Sequence, residues 1–186
     1  MWRHRETERQ PRFEDIALPH IDALYRTARR LTGNAQSAED LVQDTYLRAY
    51  DAFDRFDGRY PRAWLFTIMR HTYISQLRRA SHARFVDMDT DPTMEEEWHG
   101  AAADSVEDEL LVGILPEELE VALAALPEAW RMALVLADVE ELSYEEIAQV
   151  MECPVGTVMS RLYRARRRLE AALLEARAAR KAQGQS

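Results

Sequence analysis

Residues Leu142 to Arg168 read LSYEEIAQVMECPVGTVMSRLYRARRR, and their spacing decides the fold. The opening Leu-Ser-Tyr-Glu-Glu-Ile carries a helix-start signature. The Ser143 hydroxyl can accept from the Glu146 N–H, the Glu146 carboxylate can accept from the Ser143 N–H, and Leu142 and Ile147 can close a hydrophobic staple across the cap. Ile147, Ala148, Val150 and Met151 supply the buried face of this short helix. A second helix is expected from Pro154, where a missing N–H costs nothing. Its apolar residues recur at Val155, Val158, Leu162, Ala165 and Leu169, one stripe of a helix.

At 3.6 residues per turn, Thr157, Ser160, Arg164 and Arg167 fall away from that stripe, with Arg161 and Arg168 on its flank. Small polar residues near the start of a helix let its backbone approach a DNA major groove, and arginines further along reach guanine edges and phosphates. The competing account is a solvated helix whose arginines only oppose neighbouring acids. Staple, capping box, turn and arginine face together favour a helix-turn-helix.

The chain around this motif has 186 residues, 47% of them hydrophobic, with 6 Gly, 7 Pro and little strand-like alternation. Ala, Leu, Glu and Arg dominate, so the expected fold class is all-α. No apolar run approaches membrane-spanning length, and MWRHRETERQPRF lacks the apolar segment of a signal peptide, so a cytoplasmic protein is expected. Cys153 is the single cysteine, and His4, His20, His71, His82 and His99 are scattered without metal-ligand spacing. Gly33, Gly58, Gly100, Gly113 and Gly156 form no phosphate loop. Neither catalysis, nor a metal, nor a cofactor is expected.

A net charge of −9 argues at first against nucleic acid. Its distribution argues for it. Between Phe85 and Trp130 lie 14 acids and no Lys or Arg, so only 19 of the 33 acids face all 24 bases in the rest of the chain.

In order, residues 1–12 read as a mobile tail. Helical spacing runs from Phe13 to Leu31 with Pro19 as a kink, and Thr32-Gly33-Asn34 is a stop signal. Ser37 is the expected N-cap of the next helix, from about Ala38 to Phe53. That helix buries Leu41, Val42, Thr45 and Ala49 and leaves Asp40, Gln43, Asp44, Leu47 and Arg48 exposed. The loop 54–60 ends at Pro61, which opens PRAWLFTIMRHTYISQLRRA. Here Arg62, Arg70, Arg78 and Arg79 are interleaved with Trp64, Phe66, His71 and Tyr73. Such a helix can follow a single strand's backbone with arginines while rings stack on bases; alternatively its rings are simply core. The acidic stretch from Phe85 reads as a flexible linker, with a helix from about Ser105 into Ile114. Pro116 and Pro127 then open two further helices ahead of the motif, and the last helix runs to about Ala178. The expected divisions are 13–84, an N-terminal helical domain; 85–114, the linker; and 115–178, the helix-turn-helix domain.

Three blocks in this order, AEDLVQDTYLRAY (Ala38 to Tyr50), PRAWLFTIMRHTYISQLRR (Pro61 to Arg79) and LSYEEIAQVMECPVGTVMSRLYRARRRL (Leu142 to Leu169), resemble the extracytoplasmic-function class of bacterial sigma factors, from about Phe13 to Leu174. The resemblance implies an alternative sigma subunit that binds core RNA polymerase, selects promoters, helps open the DNA and is controlled by an anti-sigma factor. It places Asp40, Gln43, Asp44 and Leu47 against the polymerase clamp coiled coil. It assigns Arg62, Trp64, Arg70, His71, Tyr73 and Arg78 to the minus-ten promoter region, and Thr157, Ser160, Arg161, Arg164 and Arg167 to the minus-thirty-five element. Arg166 to Arg168 are then expected at phosphates or at the polymerase flap. His71, Ser75 and Met159 stand where the family pattern has Asn, Asp and Lys. The alternative from another class is a two-domain helix-turn-helix regulator that acts without joining polymerase.

Overall fold

The computed structural model describes residues 12–80 and 116–183, and every regular element among them is helical. The N-terminal group begins with α1 (Phe13–Ala17), a 3₁₀ turn (Leu18–His20) and α2 (Ile21–Thr32). Pro19 lies inside the 3₁₀ turn, where the expected kink falls, because proline cannot continue the hydrogen-bond ladder. Gly33 ends α2 at φ 77°, a left-handed conformation that glycine adopts without steric cost, and its N–H donates to the Arg29 carbonyl at 2.9 Å.

That turn leaves Asn34 extended, and α3 (Ala35–Ala52) follows at once. The N-cap is Asn34, whose Oδ1 accepts from the Ser37 N–H at 2.8 Å. The sequence-based expectation of Ser37 as cap is therefore corrected by three residues: Ser37 is already helical and serves as donor. The expected α3 core stripe of Leu41, Val42, Thr45 and Ala49 is buried and is joined by Ala38, and the Thr45 hydroxyl is satisfied by the Leu41 carbonyl at 2.7 Å. A second 3₁₀ turn (Phe53–Arg55) and a loop lead to α4 (Pro61–Ala80).

The C-terminal group comprises α5 (Pro116–Ala124), α6 (Glu128–Asp138), α7 (Tyr144–Met151) and α8 (Val155–Gln183). The capping box of α7 forms in both directions: Glu146 N–H donates to Ser143 Oγ at 3.2 Å, and Ser143 N–H donates to Glu146 Oε2 at 2.8 Å. Leu142 and Ile147 are buried beside it, as a staple requires. The α8 stripe Val158, Leu162, Ala165, Leu169 and Leu173 is buried against α5, α6 and α7. Each large apolar side chain in it is worth roughly 1.5–3 kcal/mol of burial. The helix runs five residues past Ala178, and Arg180 pairs with Glu118 of α5 at 3.5 Å.

The two groups share one continuous hydrophobic core, with α2 against α5 and α6, and α4 against α7. Of the expected tail over residues 1–12 only Arg12 is described, and the linker and the helix at 105–114 lie outside the described residues.

Candidate nucleic-acid interface

Two residues shape the turn between α7 and α8. Glu152 caps α7 at φ 52°, and the Pro154 carbonyl accepts from the Thr157 and Val158 N–H groups at 2.9 and 3.2 Å. Pro154 thus sits just before α8 rather than within it. This geometry leaves Thr157 and Ser160 half-buried at the helix start, with the Ser160 hydroxyl donating to the Thr157 carbonyl at 3.0 Å.

The arginines of α8 separate into distinct environments. Arg161 is only 8% exposed, and its Nη1 lies 3.5 Å from Cys153 Sγ, so it braces the turn. Arg166 donates to Asp138 at 2.6 Å and ties α8 to α6. Arg164 is half-buried, while Arg167 and Arg168 are exposed. Arg167 bonds the Tyr163 hydroxyl at 3.0 Å and lies over its ring. Arg164, Arg167 and Arg168 thus have solvent access that Arg161 lacks.

In α4 the rings turn mostly inward. Phe66 and Tyr73 are buried, and the Tyr73 hydroxyl donates to the Leu31 carbonyl at 2.9 Å while accepting from Arg131 at 2.8 Å. Burial holds the Tyr73 phenol above its ordinary pKa, against the opposing pull of Arg131. Trp64 is half-buried and stacks on Phe56, with centroids 4.4 Å apart and planes inclined by 25°. Phe53 and Phe13 extend this aromatic cluster from the 3₁₀ turn to α1.

Arg78 is exposed at the end of α4, whereas Arg62, Arg70 and His71 contact the C-terminal group. Arg70 Nη1 and His71 Nε2 meet one carboxylate oxygen of Glu152 at 3.2 and 2.9 Å. The hydrogen bond from His71, with the additional pull of Arg70, holds that carboxyl below its ordinary value.

Glu140 is the centre of the contact between groups, and sequence alone did not single it out. Its side chain is fully buried and accepts from Arg62 at 2.8 Å, Arg26 at 3.1 Å and the Thr27 hydroxyl at 3.3 Å. Arg62 also donates to the Glu140 backbone carbonyl at 2.7 Å.

α3 exposes a face of polar and apolar residues. Asp40 and Gln43 are exposed, Asp44 accepts from Gln76 at 3.0 Å, and Leu47 is 59% exposed. Tyr50, 63% exposed, continues this row at the next i, i+3 step. Helical spacing alone could have added it.

The comparisons follow the same division. The family model described as Sigma-70 region 2 matches residues 17–83, and that described as Sigma-70, region 4 matches residues 117–169. The ECF RNA polymerase sigma factor SigW of Bacillus subtilis is 32% identical over 171 residues, covering 86% of this chain and 88% of SigW. The chain belongs to the ECF RNA polymerase sigma factors of the sigma-70 family. EcfG of Rhodopseudomonas palustris is 38% identical to this sigma factor over 160 residues, covering 86% of the chain and 83% of EcfG. SigE of Mycolicibacterium smegmatis is 33% identical over 86% of the chain, which spans 60% of the length of SigE. Among solved structures, the sigma factor RpoE in complex with the anti-sigma factor NepR from Bartonella quintana is similar, with 34% identity, a TM-score of 0.63, and coverage of 84% of this chain and 92% of that one. CnrH in complex with the cytosolic domain of CnrY gives 28% identity and a TM-score of 0.60, covering 88% of each chain.

Among the described residues, no helix is long and apolar enough to cross a membrane, and no cluster of His, Cys, Asp and Glu could hold a metal.

Proposed function

We propose that the chain is an alternative sigma factor that joins core RNA polymerase in the cytoplasm, directs it to specific promoters and helps open the DNA, under the control of an anti-sigma factor. The observation that carries this is the pairing on one chain of a region 2 match containing the base–aromatic helix α4 with a region 4 match containing the helix-turn-helix. The divisions are residues 13–84 for clamp binding and the minus-ten region, 85–114 for the linker, and 115–178 for the minus-thirty-five element. Trapping separated bases offsets part of an unstacking cost of a few kcal/mol, so opening needs neither ATP nor covalent chemistry.

In the helix-turn-helix, Thr157, Ser160 and Arg164 read base edges, and Arg167 and Arg168 neutralise phosphates. Arg161, buried against Cys153, acts by holding the turn. In the N-terminal group, Arg62, Trp64, Arg70, His71 and Arg78 serve the opened strand, with Tyr73 as their internal support. Asp40, Gln43, Asp44, Leu47 and the added Tyr50 face the clamp coiled coil, and the flap meets the C-terminal group. Arg62, Arg70 and His71 are engaged by Glu140 and Glu152 in the packed arrangement, so these ion pairs compete with DNA for the same side chains.

Gel filtration with core polymerase, combined with fluorescence anisotropy on promoter duplexes, tests the proposal. A stable complex with core and weak duplex binding by the isolated chain are expected. Tight, sequence-specific duplex binding with no polymerase complex would replace the proposal with a free-standing regulator.

A further inference from the structure

Asp40 and Asp44 stand one turn apart on α3, and each accepts a hydrogen bond from a glutamine amide. Gln36 Nε2 donates to Asp40 Oδ1 at 3.2 Å from one turn earlier on the same helix, and Gln76 Nε2 donates to Asp44 Oδ2 at 3.0 Å from α4. The first pair is exposed and the second half-buried. Arg48 follows Asp44 at the i, i+4 spacing where acid and base ordinarily pair on a helix. Among the described residues, however, neither Asp40 nor Asp44 forms an ion pair, and the second oxygen of each carboxylate accepts no side-chain hydrogen bond. Gln76, 32 positions from Asp44, is tied to it by no local pattern in the sequence.

The identity of the donor has a chemical consequence. An amide donates without carrying charge, so it fixes a carboxylate and leaves its negative charge intact. A guanidinium in the same place would fix it as well, but would cancel that charge and repel a basic partner. Ordering a free aspartate on docking costs side-chain freedom, and a side chain already held in place reduces that cost. The bond from Gln76 is the stronger of the two. It is half-buried and joins two packed helices, whereas water competes freely for the exposed pair within α3.

We propose that Gln76 is a positioning residue for polymerase binding: from α4 it holds the Asp44 carboxylate of α3 oriented and fully charged toward a cationic surface of the clamp, with Gln36 acting on Asp40 in the same way. This rests on the assignment of Asp40 and Asp44 to the clamp. Arg78, two residues further along α4, keeps its role at the opened strand, so the end of α4 serves polymerase and DNA at once.

Affinity of the full chain for core polymerase is measured by fluorescence anisotropy across a salt series, with Tm and circular dichroism for each variant. Gln76→Leu should weaken binding roughly three- to tenfold, the amount expected when one more side chain has to be ordered on docking. Gln36→Ala should weaken it less. Gln76→Arg, which keeps a donor but cancels the charge, should also weaken binding and should flatten its dependence on salt. In an Asp44→Ala background, Gln76→Leu should have no further effect. Loss of binding in Asp44→Ala with none in Gln76→Leu overturns the positioning role and leaves Asp44 at the clamp. Unchanged binding in Asp44→Ala overturns the clamp assignment and the proposal with it. An equal loss from Gln76→Leu with and without the Asp44 side chain also overturns the proposal. Gln76 would then act by direct contact, or through the fold if Tm falls in parallel.

Discussion

Replacing Glu140 with glutamine keeps the shape of the contact between the two helical groups but removes its charge. In the native chain one carboxylate oxygen accepts from both Arg26 and Arg62, and the other accepts from Thr27. An amide keeps an acceptor oxygen toward the two arginines and turns its NH2 to the Thr27 hydroxyl, which can accept, so what is lost is the negative charge the guanidinium groups face. A hydrogen bond to a charged group contributes about 1.5–3 kcal/mol when removed. The side chains of Arg62 and Arg26 are 38% and 54% exposed, so water recovers part of the loss on their side. A weakening on the order of 2 kcal/mol is the reasonable total after that screening. Where the packed arrangement predominates, this raises the separated fraction on the order of thirtyfold, since ~1.4 kcal/mol is a factor of ten. Energy transfer between dyes at Glu39 and Glu175, in a Cys153→Ser background, reads the separation directly. A longer mean distance and faster assembly with core polymerase are expected in Glu140→Gln. Distances and assembly rates matching the parent chain would refute Glu140 as the latch.

Five further substitutions have expected outcomes. Hydrogen bonds from Ser143 hold the Glu146 carboxyl below its ordinary value, so the capping-box contribution is present above that ordinary value and is lost as pH falls through the depressed one. Ser143→Ala should cost about 1 kcal/mol at neutral pH, and Glu146→Gln should flatten the acid limb of the urea midpoint against pH. Arg164→Ala should weaken discrimination at the minus-thirty-five element by ~1–3 kcal/mol in holoenzyme binding assays without lowering Tm. Arg161→Ala should instead lower Tm, because its side chain is buried in the turn. Asp44→Arg should impair association with core polymerase in gel filtration while leaving the helical circular dichroism unchanged.

Local patterns in the sequence carried most of the fold. The capping box at Ser143, the Gly33 stop, the Pro19 kink and the α8 stripe each follow from residues within one or two turns of each other. The N-cap at Asn34 was less legible, since Asn34 and Ser37 are both good caps. What decides between them is the left-handed Gly33, which sets Asn34 extended and lets helix geometry resume immediately. Side-chain direction within the site was less legible still. Arg161 lies on the flank of its stripe, and it turns inward to contact Cys153 in the turn. Glu140 and Glu141 are adjacent and chemically alike, but only Glu140 is buried, through partners 78 to 114 positions away. Family resemblance placed α4 at the opened strand, while packing decides which of its rings are core: Phe66 and Tyr73 are buried, and Trp64 keeps an accessible part beside Phe56.

The central claim is that this chain confers promoter choice on polymerase. Transcription in vitro from fragmented genomic DNA, with core polymerase in the presence and absence of the protein and sequencing of the start sites, tests it most directly. A discrete set of starts that appear only with the protein, sharing one minus-ten and one minus-thirty-five element, is the expected result. Start sites identical in both reactions would contradict it.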